Sequence, residues 1–397
     1  AQGNQDGNGK GDFYYTPPTD YLALCTDNLS APEIALPEDY FNTVLYSGNS
    51  TADRAVTGVG FAEDFAWIKT RTGGTENHTW CDVVRGTGNH LRSDSTAAQI
   101  DSLGVTSFDS DGFTLPNHNQ VNGSGYTYVA WNWKAGGAPT ADNLVAAGGT
   151  PTAGSVKIDG ANLGSALAGS IAATRLSANT TAGFSVVKYV GNQTSGDTIA
   201  HGLSVAPQMI IIKSMDDIDQ WSVYSEPVGN TKTLYLNLNN DASAASAGFW
   251  NNTTPSPTVF TLGNETQLNK SGSDYIAYCF HNIEGYSKVG SYTGNGNADG
   301  PFVYTGFKPK FVIVKNADLD DDWEIYDGTF NPYNYLDLGL KPNTSGAEYA
   351  LNTNNRAWDF TSNGFKVRGS NGGINTSGDD LIYIAFAESP FKTSNAR

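Results

Sequence analysis

The sequence predicts an all-β protein built as three tandem antiparallel β-sandwich modules of lectin-like or jelly-roll-like type, on three observations. The composition carries 45 Gly, 20 Tyr, 18 Phe and 8 Trp with only 16% charged residues, a mixture that favours strands and tight turns. Short apolar or alternating runs are separated by Gly-Asn, Asp-Gly and Ser-Gly steps, without sustained helical periodicity. Finally, one set of four anchors recurs three times in the same order, the mark of a repeated structural unit.

The first anchor is Tyr-x-Gly-Asn, at Tyr46-Ser-Gly48-Asn49, Tyr189-Val-Gly191-Asn192 and Tyr292-Thr-Gly294-Asn295. Each closes an alternating segment and reads as a strand entering a turn. The second is an apolar run ending in lysine: Phe65 to Lys69, Met209 to Lys213 and Phe311 to Lys315. These runs read as strands buried on both faces, and the Tyr-to-Lys spacings of 23, 24 and 23 residues mark one copied unit. The third is a tryptophan, at Trp80, Trp221 and Trp323, followed or accompanied by a short strand. The fourth is a Ser-Gly turn leading into Tyr128-Val-Ala130, Tyr275-Ile-Ala277 and Tyr383-Ile-Ala385. Phe108 to Phe113 and Phe360 to Phe365 add Asp-Gly and Asn-Gly hairpin signals.

These anchors place an N-terminal segment at 1–39, module one at 40–137, module two at 183–285 and module three at 286–397. Residues 138–182, rich in Ala, Gly, Ser and Thr, read as a linker or insertion. Within them, Leu163 to Leu176 suits a marginal helix or a small-residue strand equally. An opening residue other than Met, and a Gly/Asn/Asp-rich first segment, suggest processing or a piece of something longer.

With 23 Lys plus Arg against 40 Asp plus Glu, the net charge is −17, which repels phosphate backbones and anionic membranes; nucleic acid is not an expected partner. No apolar run approaches the roughly 20 residues of a membrane span, so no membrane insertion is expected. Cys25, Cys81 and Cys279 have no metal-ligand spacing and set up no disulfide framework.

Few residues carry the signs of chemistry, and the chain does not read as an enzyme. Asp216, Asp217 and Asp219, and Asp318, Asp320, Asp321 and Asp322, occupy one loop of two modules. They read as solvated loops, the second being the weak candidate for calcium, which favours oxygen ligands; no other cofactor is expected. The five histidines form no ligand or triad pattern. Lys69, Lys213 and Lys315 read as strand ends that lift their ammonium to water, and the three recurring tryptophans read as core. Recognition is better sought where one module differs from the others. The candidates are Trp250, Asn251 and Asn252, the Tyr333, Asn334 and Tyr335 loop, and Trp358, which combine aromatic faces with amides suited to neutral polar ligands such as glycans.

Taken with Ile384 to Phe391 and the closing Asn395-Ala396-Arg397, the anchors resemble a repeat region of virion structural and tail-fibre-like proteins of marine and environmental bacteriophages, over roughly 40–397. Phe13 to Leu29 resembles the last strands of the SPRY-like, lectin-type domain that commonly precedes such repeats. The resemblance implies an exposed, extracellular part of a virion, without catalytic residues to transfer. It further implies contact with other virion proteins, homotrimeric self-association, and host adhesion through receptor binding to a cell-surface glycan or protein. The alternative is a capsid fibre, decoration protein or extracellular filament subunit without receptor binding. A polysaccharide-degrading enzyme is the least favoured class.

Overall fold

The anchors of each repeat fold into one and the same arrangement of four strands. In the first repeat these are β1 (Phe41–Ser47), β2 (Phe65–Thr72), β3 (Thr79–Asp82) and β4 (Thr127–Trp133). In the second they are β5 (Phe184–Val190), β6 (Met209–Ser214), β7 (Ser222–Ser225) and β8 (Asp274–Phe280). In the third they are β9 (Ser287–Thr293), β10 (Phe307–Asn316), β11 (Glu324–Asp327) and β12 (Asp380–Pro390). The orders are β1-β4-β2-β3, β5-β8-β6-β7 and β9-β12-β10-β11, all antiparallel. This is a computed structural model, and it describes residues 3–244 and 247–394. The closing Asn395-Ala396-Arg397 of the resemblance lies outside the described residues.

Side-chain alternation along the lysine-ending strands divides two kinds of core. Phe65 and Trp67, Met209 and Ile211, and Phe311 and Ile313 all enter one shared cluster. Their neighbours Ala66 and Ile68, Ile210 and Ile212, and Val312 and Val314 each enter a cluster belonging to their own repeat. The expected burial on both faces thus has two different partners. In the first and third repeats a three-stranded sheet covers the outer cluster, and its Asp111-Gly112 and Asn363-Gly364 steps turn the expected hairpins. The shared cluster packs repeat against repeat: ring centroids lie 4.9 Å apart for Phe65 and Tyr278, 4.8 Å for Trp80 and Trp221, and 4.9 Å for Phe41 and Phe386. With each buried large apolar side chain contributing about 1.5–3 kcal/mol, this hub binds the three repeats into one body.

Backbone and ring hydrogen bonds close the hub cyclically. The amides of Gln99, Ala242 and Glu348 donate to the carbonyls of Met215, Ala317 and Arg71, at 2.8, 2.7 and 2.9 Å. Those three acceptors each stand two residues beyond the anchor lysine of the next repeat. Trp221 Nε1 donates to Arg92 O and Trp323 Nε1 to Tyr235 O, both at 2.9 Å. The matching residue of the first repeat is His78. Its Nδ1 accepts from Trp67 Nε1 at 2.8 Å, so its Nε2 carries the proton donated to Lys341 O at 3.0 Å. Burial drives the His78 pKa well below the usual value, keeping the ring neutral.

That register corrects two anchors. Strand pairing aligns Trp80 with Val223 and Ile325, so the partner of Trp221 and Trp323 is His78. Likewise Leu381 is the partner of Tyr128 and Tyr275, and Tyr383 stands two positions further along, opposite Gly290. A side chain at Gly290 would collide with the Tyr383 ring, so a small residue opposite a large one preserves the packing.

The Tyr-x-Gly-Asn anchor docks onto a one-turn helix in every repeat: α1 (Asn119–Asn122), α2 (Thr266–Asn269) and α3 (Gly372–Asn375). The hydroxyls of Tyr46, Tyr189 and Tyr292 donate to the carbonyls of Val121, Leu268 and Ile374. The Oδ1 atoms of Asn122, Asn269 and Asn375 accept from the amides of Asn49, Asn192 and Asn295. Any Cβ at Gly48, Gly191 or Gly294 would run into the carbonyl that follows the helix, which is why the anchor requires glycine.

Residues 138–182 extend the second sheet instead of linking two bodies. Ala173–Asn179 pairs antiparallel with β5, and Val156–Ile158 lies parallel to Ala173–Asn179. Leu163 to Leu176 therefore ends as a small-residue strand, with a positive φ at Gly169 where a helix would break.

Candidate functional site

The repeated polar residues are spoken for by the fold. Lys69, Lys213 and Lys315 are fully buried, a correction to the expectation that their heads reach water. Their ammonium groups donate to backbone carbonyls, of Glu76 and Ser345, of Ser214 and Asp217, and of Asn316 and Leu319. Desolvation lowers each pKa to about 8. At two seams a buried carboxylate crosses between repeats: Asp82 accepts from Tyr278 and pairs with Arg85, and Asp327 accepts from Trp131 Nε1 and Thr43. At the third seam the same positions hold Ser225 and Ile384.

One carboxyl breaks this pattern. Glu63 is 1% exposed, and neither side-chain oxygen has a hydrogen-bond partner. It forms part of the wall of a cavity of about 480 Å³ between the first repeat and the 138–182 insertion. Desolvation, reinforced by Asp64, Asp109 and Asp111, raises its pKa to about 9; its own amide is the one group acting in the opposite sense. The neighbouring Asp64 is raised by burial to about 6, although the amides of Ala135 and Gly137 donate to it at 2.7 and 3.2 Å. Tyr40, Phe108, Lys134 and Asp159 complete the chemically distinctive lining. Lys134 Nζ lies 5.6 Å from the Tyr40 ring centroid, and among the described residues no ion pair engages it.

The cavity is specific to the first repeat. Where Glu63 precedes Phe65, the other repeats have Pro207 and Pro309 before Met209 and Phe311. The far wall is also fixed: Gly136 N donates to Ser177 Oγ at 2.9 Å, and a Cβ at Gly136 would strike the carbonyl of Lys157 or Ala178. The insertion therefore supplies a rigid wall as well as added strands.

The model of a family described as a domain of unknown function, DUF7483, matches residues 36–390. The chain belongs to the DUF7483 family. The match takes in the insertion and the four-stranded sheets of all three repeats. No curated protein and no solved structure matches the chain.

Within this DUF7483 chain the aromatic candidates separate by burial. Trp250 and Trp358 are 2% and 0% exposed, members of the outer clusters of repeats two and three. Trp358 is stacked between Tyr326 and Phe365 at 4.2 and 4.4 Å, so neither of its faces is open to a ligand. Asn251 and Asn252 follow Trp250 with positive φ, in a turn. Tyr333 and Tyr335 are 81% and 52% exposed, while Asn334 is tied by its side chain to the backbone of Phe360. The third-repeat aspartates are directed apart. Asp318 accepts from the Asp380 amide, Asp320 from the Asp241 amide, Asp321 pairs with Arg356 and Asp322 with Lys341. Cys25, Cys81 and Cys279 are free thiols.

Sequence reasoning passed over Glu63. The available signal was a departure between copies, Glu-Asp before one strand where the others have Pro-Gln and Pro-Lys.

Proposed function

We propose that the protein is a non-catalytic binding component of a virion surface, of tail-fibre type, that recognises a host cell-surface glycan. Its repeats are read as three β-sandwich modules joined back to back. The observation that carries the binding reading is the cavity of about 480 Å³ confined to one repeat and one insertion. Its size suits a small saccharide, and it combines two aromatic rings with carboxyl and ammonium groups, the mixture by which a few polar groups orient a ligand in a partly apolar site. The virion setting rests on the sequence resemblance.

Screening the purified chain against host surface glycans tests this reading, with Phe108→Ala as the cavity variant. Saturable binding lost in the variant supports it; binding that survives removal of Phe108 moves recognition elsewhere. The cyclic hub also favours a purely structural part, since a closed aromatic core rigidifies whether or not a ligand exists. Immunogold labelling of particles separates the two: fibre tips favour recognition, whereas capsids or free filaments favour the structural role. As for self-association, three repeats around one hub already give a single chain a threefold arrangement, and light scattering distinguishes a monomer on a fibre axis from a homotrimer.

A further inference from the structure

We infer that the seam cavity takes a small organic ammonium carried on a polar body, an amino sugar in chemical class, whose amine gives Glu63 the hydrogen-bond donor it lacks. This rests on the reading of the cavity as a binding site and narrows it to one kind of ligand.

The first ground is the orphan carboxyl itself. A buried polar group without a partner is costly, and natural interiors satisfy nearly all of them. Here Asp82 and Asp327, equally buried, are both satisfied across seams. Glu63 alone among these carboxyls is not, and it forms part of the wall of a cavity. The second ground is the balance of charge. Glu63, Asp64 and Asp159 line the cavity with Lys134 as the single cation among the lining residues, and the charges of Asp109 and Asp111 also act on Glu63. An incoming cation improves that balance; an anion worsens it. The third ground is the aromatic pair. Phe108 and Tyr40 offer apolar faces for the C–H side of a pyranose ring, and an aromatic face also attracts an ammonium.

The two oxygens of Glu63 are shielded from water, so the amine reaches them only if the side chains lining the cavity shift. Binding then carries a proton step that balances simply. The neutral carboxyl releases its proton to solvent, and the resulting carboxylate accepts hydrogen bonds from the ammonium; no covalent bond forms or breaks. The charged groups facing this exchange are Asp64, Asp109, Asp111, Lys134 and Asp159.

The experiment is calorimetry at pH 7 with glucosamine, glucose and N-acetylglucosamine, on the full chain and on Glu63→Gln, in two buffers of different ionisation enthalpy. The expected result is glucosamine binding at least tenfold tighter than either neutral sugar, with close to one proton released. Glu63→Gln should lose both the tenfold preference and the proton release without a fall in its melting temperature. Neutral sugars binding as well as glucosamine, with a preference that Glu63→Gln leaves intact, would overturn the ammonium assignment and leave the cavity reading standing. If none of the sugars binds and Phe108→Ala also leaves glycan recognition unchanged, both fall. Glucosamine binding equally in Glu63→Gln places the amine elsewhere and rejects the inference alone.

Discussion

The hub and the seam cavity handle buried polarity in opposite ways. At the hub five donors meet acceptors from a neighbouring repeat: the indoles of Trp221 and Trp323 and the imidazole of His78 reach carbonyls, and the Tyr278 hydroxyl and Trp131 indole reach carboxylates. At the cavity a carboxyl of the same repeat is left without a partner. Repetition selects groups that can be satisfied three times over, whereas a feature built once is free of that demand. Polarity at the hub therefore reads as assembly, and polarity at the cavity as recognition.

The sharpest way to break this contrast is to remove one carboxyl from each region. Asp82→Ala strands Arg85, whose side chain is wholly buried, and removing one member of a buried ion pair costs about 3–5 kcal/mol. Glu63→Gln removes a carboxyl that satisfies nothing, so no stability is lost. Urea unfolding of both variants at pH 7 checks the pair, and comparable losses would show that Glu63 belongs to the assembly after all. Trp323→Ala tests the hub through packing. It leaves a large hole and takes one donor from the Tyr235 carbonyl, for an expected loss of about 3–5 kcal/mol; a near-neutral result would remove Trp323 from the hub.

The division between hub and cavity also explains what could be read in the sequence. Strand, turn and lysine anchors were legible because each is a local pattern repeated at nearly constant spacing. The shared core was not, because alternation shows that Phe65 and Ala66 face opposite ways without showing what either face meets. Register was misread at Trp80 and Tyr383 for a related reason. His78 replaces an indole as ring donor, and Gly290 makes room for a displaced tyrosine; both compensations appear only once strands are paired. Asn122, Asn269 and Asn375 recur as visibly as the tyrosines, but their task lies in a loop contact some 75 residues away. Trp250 and Trp358 attracted attention as unrepeated aromatics, yet each fills the outer core of its own repeat. Unrepeated residues mark local packing as readily as function, and burial decides between them.

A smaller effect follows from pH. The Glu63 carboxyl ionises near 4.5 in an unfolded chain and near 9 in the folded one. The folded state therefore holds the proton more tightly. The resulting stability is fully present below about pH 4.5, declines as the pH rises, and is gone once the pH passes the folded value. Relative to Glu63→Gln, the wild type should lose about 2–3 kcal/mol between pH 5 and pH 7. Parallel stability curves for the two proteins would mean that Glu63 finds a partner in solution, which would erase the contrast with Asp82.

The smallest expected effect lies at Tyr333 and Tyr335, which belong to neither region. Both are largely outside the core, so the double alanine variant should change stability by no more than about 0.5 kcal/mol, measured by thermal unfolding. Its value is in binding. If host-cell attachment falls while the melting temperature holds, recognition uses this exposed loop, and the cavity serves at most as a second contact. If attachment is unchanged there and lost in Phe108→Ala, the two tyrosines are ordinary surface aromatics and the unsatisfied seam of the first repeat is where the ligand meets the protein.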